Sequence, residues 1–316
     1  MQAPDNKVRN AATAILQHAA ASIGKVILGK DEQIRLALTC LVARGHLLIE
    51  DLPGVGKTTL AHAIAQVMGL DFQRIQFTSD LLPADVLGVS VYDRERAAFE
   101  FHQGPVFSNF ILADEVNRAT PKTQSALLEA MEEYQVTVEG ETRDLPTPFF
   151  VIATQNPMHQ IGTYPLPESQ LDRFLMRLHL GFPDRQAERE LLQGEDRREI
   201  IEHIRPVLDG AKLVSIQKQA ANLHVSDALL DYVQSLLEFT RVSPMFEFGL
   251  SPRGGLALLS SAKALALIEG KEFVLPEHIK QVLPSVVNHR LVMTSDELEI
   301  RKQTAADFIC LTVPVP

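Results

Sequence analysis

The sequence predicts an α/β protein, a sheet-and-helix core followed by a smaller all-helical domain. Three observations predict it. Short apolar runs of strand length alternate with stretches of helical periodicity over the first half of the chain, the pattern of a parallel sheet with covering helices. A glycine-rich loop joins one such run to the helical stretch after it, at Asp51 to Thr58. After Phe182-Pro183-Asp184 the alternation stops and helical periodicity continues alone. The expected organisation is a core over 1–183, a connector over 184–209 and a helical domain over 210–316.

Taken in order, His46-Leu47-Leu48-Ile49 reads as a short buried strand, and Leu60, Ile64 and Val67 then recur at helical spacing. Val89 and Val91, then Phe99 and Phe101, alternate on either side of Asp93-Arg94-Glu95-Arg96 and read as a hairpin. Its charged tip is either a substrate contact or a solvated turn. Asn109 to Ala113 reads as a second buried strand. Thr120-Pro121 opens a helix, with a hydroxyl to cap it and Pro at its first position, and Leu127, Met131 and Tyr134 form its apolar face. Val136 and Val138 alternate before Glu139-Gly140, a second hairpin; Phe149 to Ala153 is a third buried strand. Arg185 to Asp209 reads as a helix plus linker. Beyond it, Ser226 caps a run with Leu229, Leu230, Val233, Leu236 and Leu237 on one face. Ser251-Pro252 opens a helix ending near Gly270, and Pro276 opens another with Ile279, Leu283 and Val286.

Composition bounds the function. The 316 residues are 46% hydrophobic and 22% charged, with a formal net charge of -10. That balance argues against a surface built to hold a polyanion, because such affinity comes mainly from neutralising phosphates. Two cysteines far apart, Cys40 and Cys310, form no disulfide framework and fit a reducing cytoplasm. Met1 to Arg9 lacks the apolar core of a signal peptide, and no run approaches the roughly 18 apolar residues of a membrane span.

Three segments carry chemistry. Asp51-Leu-Pro-Gly-Val-Gly-Lys-Thr58 lies between a strand and a helix, the setting a phosphate-binding loop requires. Gly54 and Gly56 let the backbone turn its N–H groups inward, and the helix N-terminus adds its positive dipole end. Lys57 would reach the β- and γ-phosphates of ATP, and the Thr58 hydroxyl would hold Mg²⁺. Asp51 stands where the pattern has its first Gly; a carboxylate there repels a triphosphate unless it points away or is paired. Phe110-Ile-Leu-Ala-Asp-Glu115 ends an apolar strand in two acids. Asp114 can take Mg²⁺ through water, and Glu115 can act as general base on the attacking water. Asn156, at the end of the next strand, either orients that water or caps a turn before Pro157.

These motifs together resemble the AAA+ ATPases, and their wording resembles the MoxR family. The likeness runs through Glu50-Asp-Leu-Pro-Gly-Val-Gly-Lys-Thr58, Ala113-Asp-Glu-Val-Asn-Arg-Ala119, Pro121 to Met131, Ala153-Thr-Gln-Asn-Pro157, Gly162 to Glu168, Gln170 to Arg177 and Ser251-Pro-Arg253. It implies a P-loop fold with a parallel-sheet αβα core and a C-terminal helical lid. It implies nucleotide contacts from Val26, Ile27, Gly29, Asp51, Pro53, Gly54, Val55, Gly56, Lys57, Thr58 and Thr59. Arg173 is similar to the residue that reaches a neighbouring subunit's site as an arginine finger, with Arg118 a second candidate; a plain pair of Arg173 with Asp172 or Glu168 is the alternative. Arg253 resembles the sensor 2 arginine. Its place in the first turn of a helix, where the dipole disfavours a cation, also asks for an anionic partner. The two hairpins correspond to the helix-2 and pre-sensor-1 insertions.

The function this implies is ATP hydrolysis by a ring, hexameric by resemblance, that remodels client proteins, with a von Willebrand factor A domain protein as a possible partner. A metal-chelatase-type motor is the alternative. A nucleic-acid motor fits the acidic charge poorly, and a non-hydrolysing scaffold fits Glu115 and Arg173 poorly.

Overall fold

The computed structural model describes residues 3–156, 162–194, 197–294 and 304–315. Pro157 lies outside them. A five-stranded parallel sheet organises the core, in the order β2 (Phe72–Gln76), β5 (Phe110–Asp114), β8 (Phe150–Gln155), β1 (Leu47–Glu50) and β9 (Met176–Leu178). All residues of β5 and β8 are buried, as strands covered on both faces must be. The register puts Ala113 beside Ala153 and Glu50 beside Gln155, so β1, β5 and β8 end at one edge. Ligands of open parallel sheets bind at that carboxyl edge.

The three strands read from the sequence are present, each displaced by about one residue. Two strands carry no signal in the sequence reading. In β2 only Ile75 is buried, because this edge strand exposes Gln73 and Arg74; β9 is three residues long. Both hairpins form: β3 (Gly88–Asp93) with β4 (Ala98–Gln103), and β6 (Gln135–Val138) with β7 (Glu141–Asp144).

Helices α1 (Ala3–Gly24), α2 (Asp31–Val42) and α3 (Lys57–Val67) cover one side; α4 (Pro83–Leu87) and α5 (Pro121–Glu133) pack with the other apolar cluster. Thr120 does not cap α5 through its hydroxyl, which meets Thr123 Oγ1 at 3.2 Å. Tyr134 is not on the helix face: it ends α5 in a left-handed turn at φ 55°, and its hydroxyl donates to the Arg44 carbonyl. The short α6 (Glu168–Leu171) precedes β9.

The connector holds two helices, α7 (Arg185–Gln193) and α8 (Arg197–His203). Beyond it stand α9 (Gly210–Ala221), α10 (Asp227–Val242), α11 (Pro252–Ile268), α12 (Pro276–Val287) and α13 (Ala305–Thr312). Ser226 and Ser251 cap α10 and α11, each accepting a backbone N–H at 3.3 Å. Leu230 is not buried with the face of α10, which consists of Leu229, Tyr232, Val233, Leu236 and Thr240. Gly254 and Gly255 sit where the packing is close: a Cβ on Gly255 would stand 2.8 Å from Leu237 Cδ1 of α10, and one on Gly254 3.3 Å from Leu250 Cδ2, so a larger residue would make those side chains shift. A continuous apolar cluster runs from α1–α3 into α9–α13, and the Thr13 hydroxyl of α1 donates to the Leu267 carbonyl at 2.8 Å. No helix among the described residues is long and apolar enough to cross a membrane.

His46 is a buried polar group of this core. Its Nδ1 accepts the Val151 N–H at 3.0 Å, so its Nε2 carries the proton toward the Met131 carbonyl at 3.0 Å. Burial pushes its pKa down from 6.5 to about 4. The unfolded chain therefore takes up a proton that the folded chain refuses. Stability should fall as pH drops from 6.5 toward 4 and become insensitive to this group above 6.5, with a total effect of about 3 kcal/mol at most. Urea unfolding at pH 7 and pH 5.5, above the carboxylate range, checks this: wild type should lose more stability between the two than His46→Asn.

Candidate active site

The loop between β1 and α3 has the expected conformation. Gly54 and Gly56 have φ of 85° and 94°, the left-handed region glycine favours, and their α-carbons face open space. A cavity of about 280 Å³ opens over them, lined by Pro53, Gly54, Gly56, Lys57, Thr58, Thr59, Asp114, Glu115 and Asn156. The loop, β5 and β8 thus bring the phosphate-loop residues together with both acids and the asparagine.

Lys57 is 7% exposed, and its ammonium donates to the Asp51 carbonyl at 2.6 Å and to Asn156 Oδ1 at 3.1 Å. Burial lowers its pKa, against the pull of Asp51, Asp114 and Glu115 in the other direction. Asn156 Nδ2 in turn donates to Glu115 Oε1 at 3.0 Å. One amide therefore links the lysine to the glutamate. Glu115 Oε2 accepts from Arg118 at 3.0 Å and from Gln76 at 3.3 Å. Arg118 is thus paired with Glu115 within its own chain.

Glu115 sits at φ 56°, a left-handed conformation that costs a non-glycine residue about 1 kcal/mol or more. Thr154 holds it there: its hydroxyl accepts the Glu115 N–H at 2.9 Å and donates to Asp114 Oδ1 at 2.6 Å. The other Asp114 oxygen accepts from Arg74 Nη2 at 2.6 Å and Nε at 3.1 Å. Arg74 is a site residue the sequence reading missed; its strand was not legible, so nothing placed it beside Asp114. Among the described residues no three His, Cys, Asp or Glu side chains converge as a metal site. A set of Thr58 and an already bonded Asp114 fits Mg²⁺, which takes few protein ligands and keeps water and phosphate oxygens.

Asp51 resolves the repulsion expected of it. Its carboxylate is not in the cavity wall; Oδ2 accepts the backbone N–H groups of Leu180 and Gly181 at 2.7 and 2.6 Å. Its carbonyl accepts from Lys57, and its charge acts on that ammonium only at a distance. Asp51→Gly should therefore cost about 2 kcal/mol of stability, because it orphans two amides bonded to a charge. Thermal unfolding without ligand would read this as a lowered Tm, and an unchanged Tm would show those bonds to be dispensable.

Other expected contacts are not brought to this cavity. Val26 and Ile27 are packed in the apolar core, and Val55 lies against it. Gly29 is roofed by the start of α7, where its Cβ would stand 3.0 Å from that of Ala187.

Arg173 and Arg253 stand elsewhere. They line a second cavity, of about 370 Å³, with Arg44, His46, Glu132, Tyr134, Asp172 and Arg290. His46 precedes β1 and the phosphate loop follows it, so this cavity is at the opposite edge of the sheet, more than about 10 Å away along a four-residue strand. Arg173 Nε pairs with Glu132 Oε2 at 3.1 Å, not with Asp172 or Glu168. Arg253 Nη2 pairs with Glu132 Oε1, and its Nη1 lies 3.7 Å from Asp172. The anionic partner asked for by the helix terminus is a carboxylate pair in this chain, not a group at the phosphate loop.

Comparison with known proteins gives the same fold. A family model for the ATPase family associated with various cellular activities (AAA) matches residues 46–176, and an AAA lid domain model matches 238–308. Chaperone MoxR1 of Mycobacterium tuberculosis is 40% identical, over 95% of this chain and 82% of that protein. Protein MoxR of Methylorubrum extorquens is 30% identical, over 93% of each. The crystal structure of a candidate ATPase from Cytophaga hutchinsonii superposes with a TM-score of 0.87 at 36% identity, over 98% of this chain and 97% of that one. With relatives of that name matched along almost the whole length and both the AAA core and the lid recognised, the chain belongs to the MoxR family of AAA+ ATPases.

Proposed function

We propose that this chain hydrolyses ATP as a ring-forming motor, hexameric by family likeness, in which each active site is completed by the neighbouring subunit. One observation carries the reading. Lys57, Asn156 and Glu115 are bonded in series in one cavity, while the two arginines suited to a γ-phosphate stand at the far edge of the same sheet.

In this reading the Gly54–Thr58 backbone cradles the phosphates and the Lys57 ammonium neutralises them. Glu115 takes the proton of the attacking water. Asn156, bonded to both Lys57 and Glu115, orients that water and couples the base to the occupied phosphate site. Thr58 and Asp114 would hold Mg²⁺, which supplies positive charge to the phosphate oxygens. Arg173 and Arg253 act on the nucleotide of the adjacent subunit, where an arginine offsets charge in the transition state. The division into core 1–183, connector 184–209 and lid 210–316 fits such a motor, with the lid carrying Arg253.

The work done is remodelling or maturation of a client protein in the cytoplasm. The acidic chain and the relative named as a chaperone support this reading over a nucleic-acid motor. The exposed aromatic pair Tyr92 and Phe99 on the first hairpin suits a polypeptide client. A von Willebrand factor A domain partner fits the family likeness, and a metal-chelatase-type motor is the second reading, separated only by the client.

The test is ATPase activity with Mg²⁺ against subunit concentration. Specific activity should rise steeply as rings form and should not respond to DNA. Absence of turnover at every concentration, with assembly intact, would overturn the hydrolytic reading; stimulation by DNA would overturn the choice of client.

A further inference from the structure

The second cavity gathers charged side chains among apolar ones. Four arginines, Arg44, Arg173, Arg253 and Arg290, line it together with two acids, Glu132 and Asp172. The carboxylates have different standing. Asp172 is held chiefly by Arg290, with Arg253 Nη1 3.7 Å from its other oxygen: Arg290 Nε donates to Asp172 Oδ1 at 2.7 Å, and the same guanidinium, 5% exposed, also donates to the Phe174 and Leu175 carbonyls. That corner is a fixed piece of architecture joining the segment before β9 to the end of α12.

Glu132 serves Arg173 and Arg253, both more exposed than Arg290. Its two oxygens are divided between Arg173 and Arg253, one each. Both partners stand against their helix dipoles. Glu132 is an acid in the last turn of α5, and Arg253 a cation in the first turn of α11, arrangements that destabilise isolated helices. Helix stability does not explain their placement; their contact with each other does. A carboxylate bridging two guanidinium groups is also the nearest protein equivalent of a phosphate bound by the same pair.

We propose that, in the lone subunit, Glu132 occupies the place taken by the terminal phosphate of ATP on a neighbouring subunit, so that assembly requires Arg173 and Arg253 to exchange one anion for the other. This rests on the reading of those arginines as acting between subunits. Glu132 is a positioning residue: it keeps the pair ordered and satisfied until a nucleotide-loaded neighbour arrives, and it opposes docking of an empty one, which offers no replacement anion.

The experiment is sedimentation velocity of the full chain with Mg²⁺ and the non-hydrolysed analogue AMPPNP, for wild type and Glu132→Gln. Removing two partly exposed ion pairs that compete with docking should lower the subunit concentration at half-assembly by about 3- to 30-fold. A double substitution, Arg173→Ala with Arg253→Ala, controls for altered folding: in that background Glu132→Gln should leave the midpoint where it was. A midpoint unchanged or raised by Glu132→Gln alone, or lowered equally with and without the arginines, would overturn the proposal. Assembly is read without turnover, so a chain that shifts as expected yet never hydrolyses ATP would refute the ATPase reading and leave this one standing.

Discussion

Glu115→Gln should lose about 10²- to 10⁴-fold in ATP turnover while still binding nucleotide, since a positioned general base contributes on that order. The separation of binding from turnover follows from the geometry. The groups that would hold phosphates are the Gly54–Thr58 backbone and Lys57, and none of them is hydrogen-bonded to the Glu115 carboxylate, whose partners are Asn156, Arg118 and Gln76. Asn156 can still donate to the Oε1 of a glutamine, so the bond that orients Asn156 toward Lys57 persists. The left-handed backbone at this position is set by the Thr154 hydroxyl, which the substitution leaves alone. Equilibrium binding of a fluorescent ATP analogue together with steady-state phosphate release checks both halves. Loss of binding would mean that Glu115 shapes the pocket instead of serving the water.

The second large effect is expected at Arg173. Arg173→Ala should lower kcat by about 10³-fold or more, the usual range for an arginine finger, with little change in nucleotide affinity. Within one subunit its guanidinium meets Glu132 at the edge of the sheet away from the phosphate loop, so its removal deprives the local nucleotide of no contact. Arg173→Lys should restore little, because a point charge cannot reproduce the planar fork. Activity of Arg173→Ala equal to wild type in fully assembled protein would assign the residue to the Glu132 pair alone.

Much of this site was legible in the sequence because its parts are local. A strand, two glycines and a helix start within about ten residues specify the phosphate loop without long-range information. Asp114 and Glu115 announce themselves as acids ending an apolar run, and Asn156 as a polar residue ending another. What was not legible depends on neighbours distant in sequence. Arg74 meets Asp114 only because β2 pairs with β5, and β2 lacks the apolar run that marks a strand. Glu132 is one acid among several near the end of α5; its two arginines come from positions 41 and 121 residues further on. Asp51 looked like a threat to phosphate binding until the Leu180 and Gly181 amides, more than a hundred residues away, were seen to hold it. Val26, Ile27 and Gly29 were read by likeness alone, and the fold gives them core packing and the roof formed by α7.

The most direct test of the shared site is to mix the two inactive proteins, Glu115→Gln and Arg173→Ala, and measure ATP hydrolysis against each alone. If the site lies between subunits, an interface pairing an intact Glu115 with a neighbour's intact Arg173 is whole. Random mixing at equal amounts then makes about a quarter of the interfaces competent, so hydrolysis should reappear. No recovery across all mixing ratios, with mixed rings demonstrated, would contradict the account and return Arg173 to a role inside its own chain.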